Sequence, residues 1–352
     1  KSINSFSHVK LTPTKGALLM QIDKVHGSEN HFFLLDQTQL QTKLTDQELI
    51  NFATKITNPQ TGLLQGADGV LVIDEPTHET ALAQMRVINA DGSEASMCGN
   101  GLRTVSRYLS KKFQVDQFKV QTLNADLKVS KAKDFAPNVP AFSVEISPVS
   151  FDAEKLPFHN ANHQQLVDEP WPELLPELKF TALAVPNPHL ISFVSAEELA
   201  SDDLGTLGKR LNEPNPYFPD GVNVSFAEIL GQNKLFVRTF ERGVGFTNAC
   251  GTGMSATSLA FTLTHPDEGQ FDQEITVYNP GGLVKTNVHK RNGIYDIDLI
   301  GNATVTHHLE ISEADLHAAK LTDVQINKTD EETSYQKFVT QLPKINNISV
   351  KS

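Results

Sequence analysis

A chain of 352 residues is long for one hydrophobic core and sufficient for two of ordinary size. Its formal net charge of −12, with a sequence pI near 5.4 and no Lys/Arg stripe, excludes nucleic acid and anionic membrane surfaces as partners, since both demand clustered cations. No apolar run approaches the roughly 20 residues that span a bilayer and no basic-then-apolar signal opens the chain, so a cytoplasmic protein is expected.

Residues 1–17 are polar and irregular and are expected to be a disordered leader, with Met20 close to the native start. Leu18 to Val25 reads as a strand, His26-Gly27-Ser28-Glu29-Asn30 as its turn, and Phe32 to Asp36 as the returning strand. Thr45 and Glu48 form a capping box ahead of an apolar periodic helix to about Thr57. After a glycine-punctuated loop, strands are expected at Val70 to Asp74 and Gln84 to Asn89. Next stands Asn89-Ala90-Asp91-Gly92-Ser93-Glu94-Ala95-Ser96-Met97-Cys98-Gly99-Asn100-Gly101, opening a helix over Leu102 to Phe113.

Apolar alternation then marks strands at Phe118 to Leu123, Leu127 to Lys131 and Phe142 to Ile146. Pro148 to Lys179, which holds the single tryptophan, shows no sustained period and reads as a crossing between halves. The second half runs through strands at Phe180 to Val185 and His189 to Val194, a Ser195/Glu198 capping box with its helix, and strands at Val222 to Leu230 and Lys234 to Phe240. Glu241-Arg242-Gly243-Val244-Gly245-Phe246-Thr247-Asn248-Ala249-Cys250-Gly251-Thr252-Gly253 follows, opening a helix over Met254 to Leu263. Strands at Glu274 to Tyr278, Leu283 to Val288 and Tyr295 to Leu299 come next, the last two joined by a Lys290-Arg291-Asn292-Gly293 hairpin. Ala303 to Glu310 is expected to return to the first half as an edge strand, and residues 311–352 form a polar tail with no assigned role.

The order repeats. Asp68-Gly69-Val70 stands 30 positions before Cys98, and Asp220-Gly221-Val222 stands 30 before Cys250. Arg86 and Arg238 lie 12 upstream of their cysteine, Asn89 and Glu241 9 upstream. Asn30 and Asn187 each open a run into apolar residues. This is an internal duplication. The expected fold is α+β, with two pseudo-symmetric halves, each a mixed or antiparallel sheet wrapped around a central helix. The first half covers 18–147, joined by a returning strand at 303–310, and the second covers 148–302.

A helix start carries unpaired N–H groups and a positive partial charge, so a Cys-Gly-x-Gly turn can hold a carboxylate. The same field is expected to lower the thiol pKa below its reference of roughly 8.5. A lone structural disulfide or two inert buried thiols are the plainer readings of two cysteines, but packing rarely selects cysteine in glycine-rich turns. Neither cysteine has a distinguished local His partner, which weakens acyl transfer. Two opposed thiols suit stereoinversion instead: one removes a proton from carbon and the other delivers one to the opposite face. Metal binding is disfavoured because neither thiol has Cys or His companions at ligand spacing, and no nucleotide-binding glycine fingerprint is present.

The motifs together resemble the diaminopimelate epimerase family over roughly His26 to Val305. They are His26-Gly27-x-x-Asn30, Gly66-Ala67-Asp68-Gly69, Asn89 to Glu94, Cys98-Gly99-Asn100-Gly101-x-Arg103, Asn187-Pro188-His189, Val222-Asn223-Val224, Glu241-Arg242-Gly243-x-Gly245 and Ala249 to Gly253. The resemblance implies a cofactor-independent isomerase acting on LL- and meso-diaminopimelate, usually a homodimer, with no metal. It implies Cys98 and Cys250 as the acid/base pair, with His189 and Glu241 as further catalytic polar residues near the reacting amino group. Asn30, Asn89, Asn187, Asn223 and Arg242 would grip the substrate, together with Gly69 and Glu241, while Gly99, Asn100, Gly251 and Thr252 would line its reacting carboxylate. Two positions depart from the family: Phe246 stands where Glu is usual, and His31 where an acid is common.

Plainer readings apply residue by residue. Asparagines beside turns usually serve local backbone geometry, and Glu241 and Arg242 could be a surface ion pair. Spacing from the two cysteines favours function for Asn89, Glu241 and Arg242, whereas His189 alone favours a structural role. A proline or hydroxyproline racemase-like enzyme and a non-catalytic amino-acid binder are the competing expectations.

Overall fold

The computed structural model describes residues 18–159 and 164–343, so the expected leader over residues 1–17 and the final stretch of the expected tail lie outside the described residues. In the first half, β1 (Leu19–Gly27) turns through Ser28 and Glu29 into β2 (Asn30–Asp36). Both turn residues have positive φ, 52° and 64°, which matches a two-residue hairpin to the twist of its strands. Helix α1 (Asp46–Ile56) starts at the Thr45/Glu48 capping box. Then β3 (Gly69–Asp74) lies parallel to β2, β4 (Ala83–Asn89) antiparallel to β3, and the short β5 (Glu94–Ala95) folds back on β4. Helix α2 (Gly99–Phe113) leads to β6 (Gln117–Gln121), parallel to β4, and to the antiparallel β7 (Asp126–Lys131) and β8 (Ala141–Ile146).

The second half repeats the scheme. After β9 (Leu166–Pro170) come β10 (Lys179–Ala184), β11 (Pro188–Phe193), α3 (Ala196–Ala200) and α4 (Asp203–Asn212). They are followed by β12 (Asn223–Gly231), β13 (Lys234–Glu241), β14 (Gly245–Phe246) and α5 (Gly251–Thr264). β15 (Glu274–Asn279), β16 (Gly282–Arg291) and β17 (Ile294–Asn302) complete the half. The parallel joints recur at β11/β12 and β13/β15. The equivalent strands β8 and β17 pair antiparallel with each other, Val144 opposite Leu299, as a local two-fold axis requires. Asn292 and Gly293 turn the β16/β17 hairpin with φ of 53° and 80°.

The chain closes with β18 (Thr304–Ser312), α6 (Glu313–His317), β19 (Gln325–Lys328) and α7 (Glu331–Thr340). β18 returns to the first half beside β1, but it lies between β1 and β19 and is therefore not an edge strand. The segment read as a polar tail is folded as far as it is described. Tyr335 of α7 is 1% exposed and donates to Gly281 O at 2.8 Å, and Arg107 grips Glu331 with two hydrogen bonds of 2.6 Å. Nor is 148–179 only a crossing: Leu156, Phe158 and Trp171 are buried and pack with Phe218 in the core of the second half. Its strand β9 is short and shifts register against β10, so no period survives in the sequence.

Each central helix is enclosed by its own strands: α2 packs on β1 to β4, β7 and β8, α5 on β9 to β13, β15 and β16. Both also touch β17 and each other. Helix α5 is buried around most of its circumference and carries no charged side chain. Its buried hydroxyls return to the helix itself, Ser255 to Gly251 O at 2.9 Å and Thr257 to Gly253 O at 2.7 Å, so no polar atom there is left dry. One core contains side chains of both halves, including Leu102, Val105, Leu259 and Leu299.

Candidate active site

Cys98 and Cys250 are the N-caps of the two central helices. Each has extended backbone (φ −141° and −111°), and each sulfur accepts the otherwise unpaired N–H three residues on, Gly101 N at 3.4 Å and Gly253 N at 3.3 Å. The glycines that follow sit in tight space. A Cβ on Gly99 would lie 3.2 Å from Leu299 Cδ2 and one on Gly251 2.9 Å from the same atom. One leucine of β17 thus separates the two helix starts.

Around each thiol the duplicated residues form the same small network. In the first half Asn30 Oδ1 accepts from the Cys98 thiol at 3.5 Å and from Asn100 Nδ2 at 3.3 Å. Asn30 is itself fixed by donating to Asp68 Oδ2 at 2.7 Å. In the second half Asn187 Nδ2 donates to Thr252 Oγ1 at 3.2 Å, and that hydroxyl lies 3.5 Å from Cys250 Sγ. Asn100 Oδ1 is buried and unpartnered among the described residues, and a Cβ on Gly251 would lie 3.5 Å from it.

The two thiols open into one cleft of about 1010 Å³. Of the residues expected from the sequence, Asn30, Asn89, Cys98, Gly99, Asn100, Asn187, Glu241, Arg242, Cys250, Gly251 and Thr252 line it together. Arg242 is the only cation of that lining among the described residues. Three others stand one step behind. His189 is fully buried, with Nε2 3.2 Å from Asn187 Oδ1. Asn223 Oδ1 accepts from Arg242 N at 2.8 Å and so fixes the backbone of that cation. Gly69 faces Asn89 across the β3/β4 ladder, where a Cβ would lie 2.6 Å from Ile88 O.

Sequence reasoning passes over Glu29, Asp68, Thr247 and Asn248, which also line the cleft. Glu29 bridges the halves: Oε2 accepts from Asn248 Nδ2 at 3.2 Å and Oε1 from Gln336 Nε2 of α7 at 3.1 Å. Asp68 stands in the sequence as a spacing marker and within the Gly66-Ala67-Asp68-Gly69 motif, and a carboxylate at a fixed distance from each cysteine is itself a signal. Thr247 donates its hydroxyl to Glu241 Oε1.

Electrostatics correct one expectation. The thiols are not lowered by their helix ends: burial pushes Cys98 up to about 11, against the hydrogen bond from Gly101 N and the charge of Arg103. Burial and then the Glu241 carboxylate push Cys250 well above its ordinary value. The protein packed around each sulfur outweighs the partial charge of its helix end, more completely at the buried Cys250 than at Cys98, which is half-buried at the cleft. Burial also raises Glu241, opposed by the hydrogen bonds from Thr247 and Cys250. His189 is lowered to about 3 by burial and by the charge of Arg242, which leaves it neutral.

A family model described as diaminopimelate epimerase matches the chain twice, over residues 23–146 and 181–304, which reproduces the duplication. A diaminopimelate epimerase of Ligilactobacillus salivarius is 55% identical over 92% of this chain and 99% of the relative. Those of Enterococcus faecalis and Lactiplantibacillus plantarum are 53% and 52% identical over 92% and 93% of this chain and 98% and 100% of the relatives. Among solved structures, a Bacillus anthracis phenazine biosynthesis protein of the PhzF family superposes with a TM-score of 0.58 at 14% identity, over 84% of this chain and 99% of that one. A hydroxyproline epimerase from Agrobacterium vitis superposes with a TM-score of 0.54 at 14% identity, over 84% and 91%. At that identity the likeness is one of fold alone. The duplicated fold, the paired thiol helix starts and the near-complete coverage by these relatives agree, and the chain belongs to the diaminopimelate epimerase family, a family of isomerases.

Proposed function

We propose that this protein interconverts LL- and meso-2,6-diaminopimelate without cofactor, with Cys98 and Cys250 as the two bases, in lysine and cell-wall precursor biosynthesis. The observation that carries the mechanism is the pair of N-cap thiols opening into one cleft, their helix starts held apart by a single Leu299 side chain. Proton removal from a carbon beside a carboxylate develops negative charge on that carboxylate, and the amide groups at the two helix starts stabilise it from both sides. One sulfur takes the proton as thiolate while the other gives one as thiol to the opposite face. A thiolate at the wall of this cleft is favoured by nearby positive charge, which the substrate ammonium supplies when it sits against Asn30, Asn187 and the buried Asn100 Oδ1. Glu241 accepts from Cys250 and so favours the protonated form of that sulfur, and Arg242 suits the distal carboxylate of a diacid.

His189 acts through Asn187 in this reading, as a neutral anchor. Asn223 and Gly69 serve the same purpose for Arg242 and Asn89. We further propose a cytoplasmic location and a homodimer, as the family resemblance implies. No helix among the described residues is long and apolar enough to cross a membrane.

The test is a stereochemical assay on LL-diaminopimelate with no added cofactor, run in deuterated water. Conversion to the meso form with deuterium at the inverted carbon is expected, and Cys98→Ala or Cys250→Ala should reduce it by orders of magnitude. Near-normal turnover in either variant would refute the two-base mechanism. Inversion of proline with none of diaminopimelate would replace the substrate.

A further inference from the structure

The thiols are duplicated, but the charges around them are not. The position five after Cys98 is Arg103, whereas the position five after Cys250 is Ser255. The position nine before Cys98 is Asn89, whereas the position nine before Cys250 is Glu241. One sulfur has a guanidinium and an amide, the other a hydroxyl and a carboxylate.

Arg103 is 0% exposed. It is clamped between the start of α2, the β1/β2 turn and the end of β17. A Cβ on Gly27 would lie 2.8 Å from Nη2, and one on Gly301 2.6 Å from the guanidinium carbon, so two glycines make its room. Its partners are neutral: Nε donates to Asn302 O and Nη2 to Ser28 Oγ, each at 3.2 Å, while Nη1 has no partner among the described residues. No carboxylate pairs with it among the described residues. A buried cation without a counter-ion is strongly destabilising, and its retention calls for an anion formed at some stage of function. Burial lowers Arg103 only to about 10, so it stays charged at neutral pH. The same Cβ position on Gly27 lies 2.8 Å from Asn100 O, so the guanidinium end sits beside the Cys98-Gly99-Asn100 helix start, and the ionisable groups that bear on its charge are Cys98 and Tyr335 of α7.

We propose, resting on the two-base reading, that Arg103 is a positioning residue whose buried charge serves the Cys98 thiolate, making Cys98 the sulfur that ionises first and Cys250 the resident proton donor. The groups facing the two sulfurs agree with this order. Cys98 meets Arg103 and the amides of Gly101 and Asn100, opposed by the more distant Glu241 of the second half. Cys250 meets Glu241 directly, with Thr252 and the amide of Gly253 on the other side. The carboxylate favours the protonated form of its sulfur, and the guanidinium favours the ionised form of the other. The duplication supplies two matched helix starts, and the five-after and nine-before positions give them opposite biases.

The test reads each sulfur separately. In Cys250→Ser and Cys98→Ser chains, the rate of alkylation by iodoacetamide is followed from about pH 6 to about pH 10, since only thiolate reacts. Cys98 should reach a given rate at lower pH than Cys250. Arg103→Met should slow Cys98 about tenfold at fixed pH, equivalent to a profile displaced by about one unit, while leaving Cys250 unmoved; Arg103→Lys should restore most of the rate. The proposal is overturned if Cys250 ionises at or below the pH of Cys98, if folded Arg103→Met leaves the Cys98 profile in place, or if both profiles shift alike. Should Arg103→Met not fold, the order of the two native profiles and the Arg103→Lys profile decide. Alkylation does not depend on turnover, so failure of the epimerase assay and failure of this proposal are separate results.

Discussion

Arg238 holds its guanidinium carbon 4.2 Å from the centre of the Phe246 ring. Its counterpart Arg86 instead grips Glu94 with two hydrogen bonds of 2.9 and 2.8 Å. Glu94 and Phe246 each stand four positions before their cysteine, so an ion pair in one half corresponds to a cation–π pair in the other. Phe246 packs edge-on against Phe240 at 5.4 Å and lines the cleft near Glu241. A carboxylate in its place would add negative charge beside Cys250, which Glu241 already disfavours as a thiolate.

Phe246→Glu should therefore fold, with a stability change of about 0.5–1 kcal/mol either way, because a partly exposed cation–π pair and a partly exposed ion pair are worth similar amounts. Epimerisation should fall by no more than about tenfold, by the rate equivalence of a similar energy. Thermal melts and initial rates check this, and a loss beyond a hundredfold would show that the apolar lip is itself required.

His189 is neutral above about pH 3. His189→Asn should slow turnover through the loosened Asn187 while leaving the limbs of the pH–rate profile where they are. Disappearance of a limb near neutrality would assign His189 a direct proton-transfer role instead.

Gly251→Ala places a methyl group 2.9 Å from Leu299 Cδ2, against 3.2 Å for Gly99→Ala. The first should cost about 1–3 kcal/mol and the second less, by overpacking. Leu299→Val should recover part of the Gly251→Ala loss, giving a measurable coupling in a double-mutant cycle. Strict additivity would mean that Leu299 is not the spacer.

Glu332 of α7 sits 2.8 Å from His26 Nε2. Burial alone would raise its pKa, but the hydrogen bond and charge of His26 hold it down to about 2. A carboxyl lowered in the folded state stabilises it above its ordinary value near 4.5, and that contribution is lost as pH falls through about 2. Glu332→Gln should accordingly weaken the protein by about 1–2 kcal/mol near neutrality, and the difference should vanish toward pH 2. A difference that persists there would point to packing of α7 and not to the carboxylate.

Local chemistry is what the sequence displays most clearly. The capping boxes at Thr45 and Ser195 and both thiol helix starts depend on side chains within three or four positions; the boxes form where expected, and the thiol helices begin three residues earlier than their apolar period marks, at Gly99 and Gly251. The duplicated order predicts the two enclosed helices for the same reason. Elements held only by distant partners are less visible. Helix α7 buries little beyond Tyr335, and β19 is exposed throughout, so neither leaves an apolar period, although together they remove β18 from the edge. The helix end near each sulfur is local and readable, whereas the packing around the two starts draws on residues such as Leu299, far along the chain. The step from lining residue to anchor, which separates Asn187 from His189, depends on strand register and not on composition.

The pairing of β8 with β17, and the return of β18 to β1, bear on how such a chain can be divided. A gene cut at the repeat boundary would encode two fragments with raw sheet edges, one lacking β18 beside β1 and the other lacking β8 beside β17. Each half therefore completes a sheet edge of the other, and the two cannot be parted without leaving unpaired strands exposed to solvent.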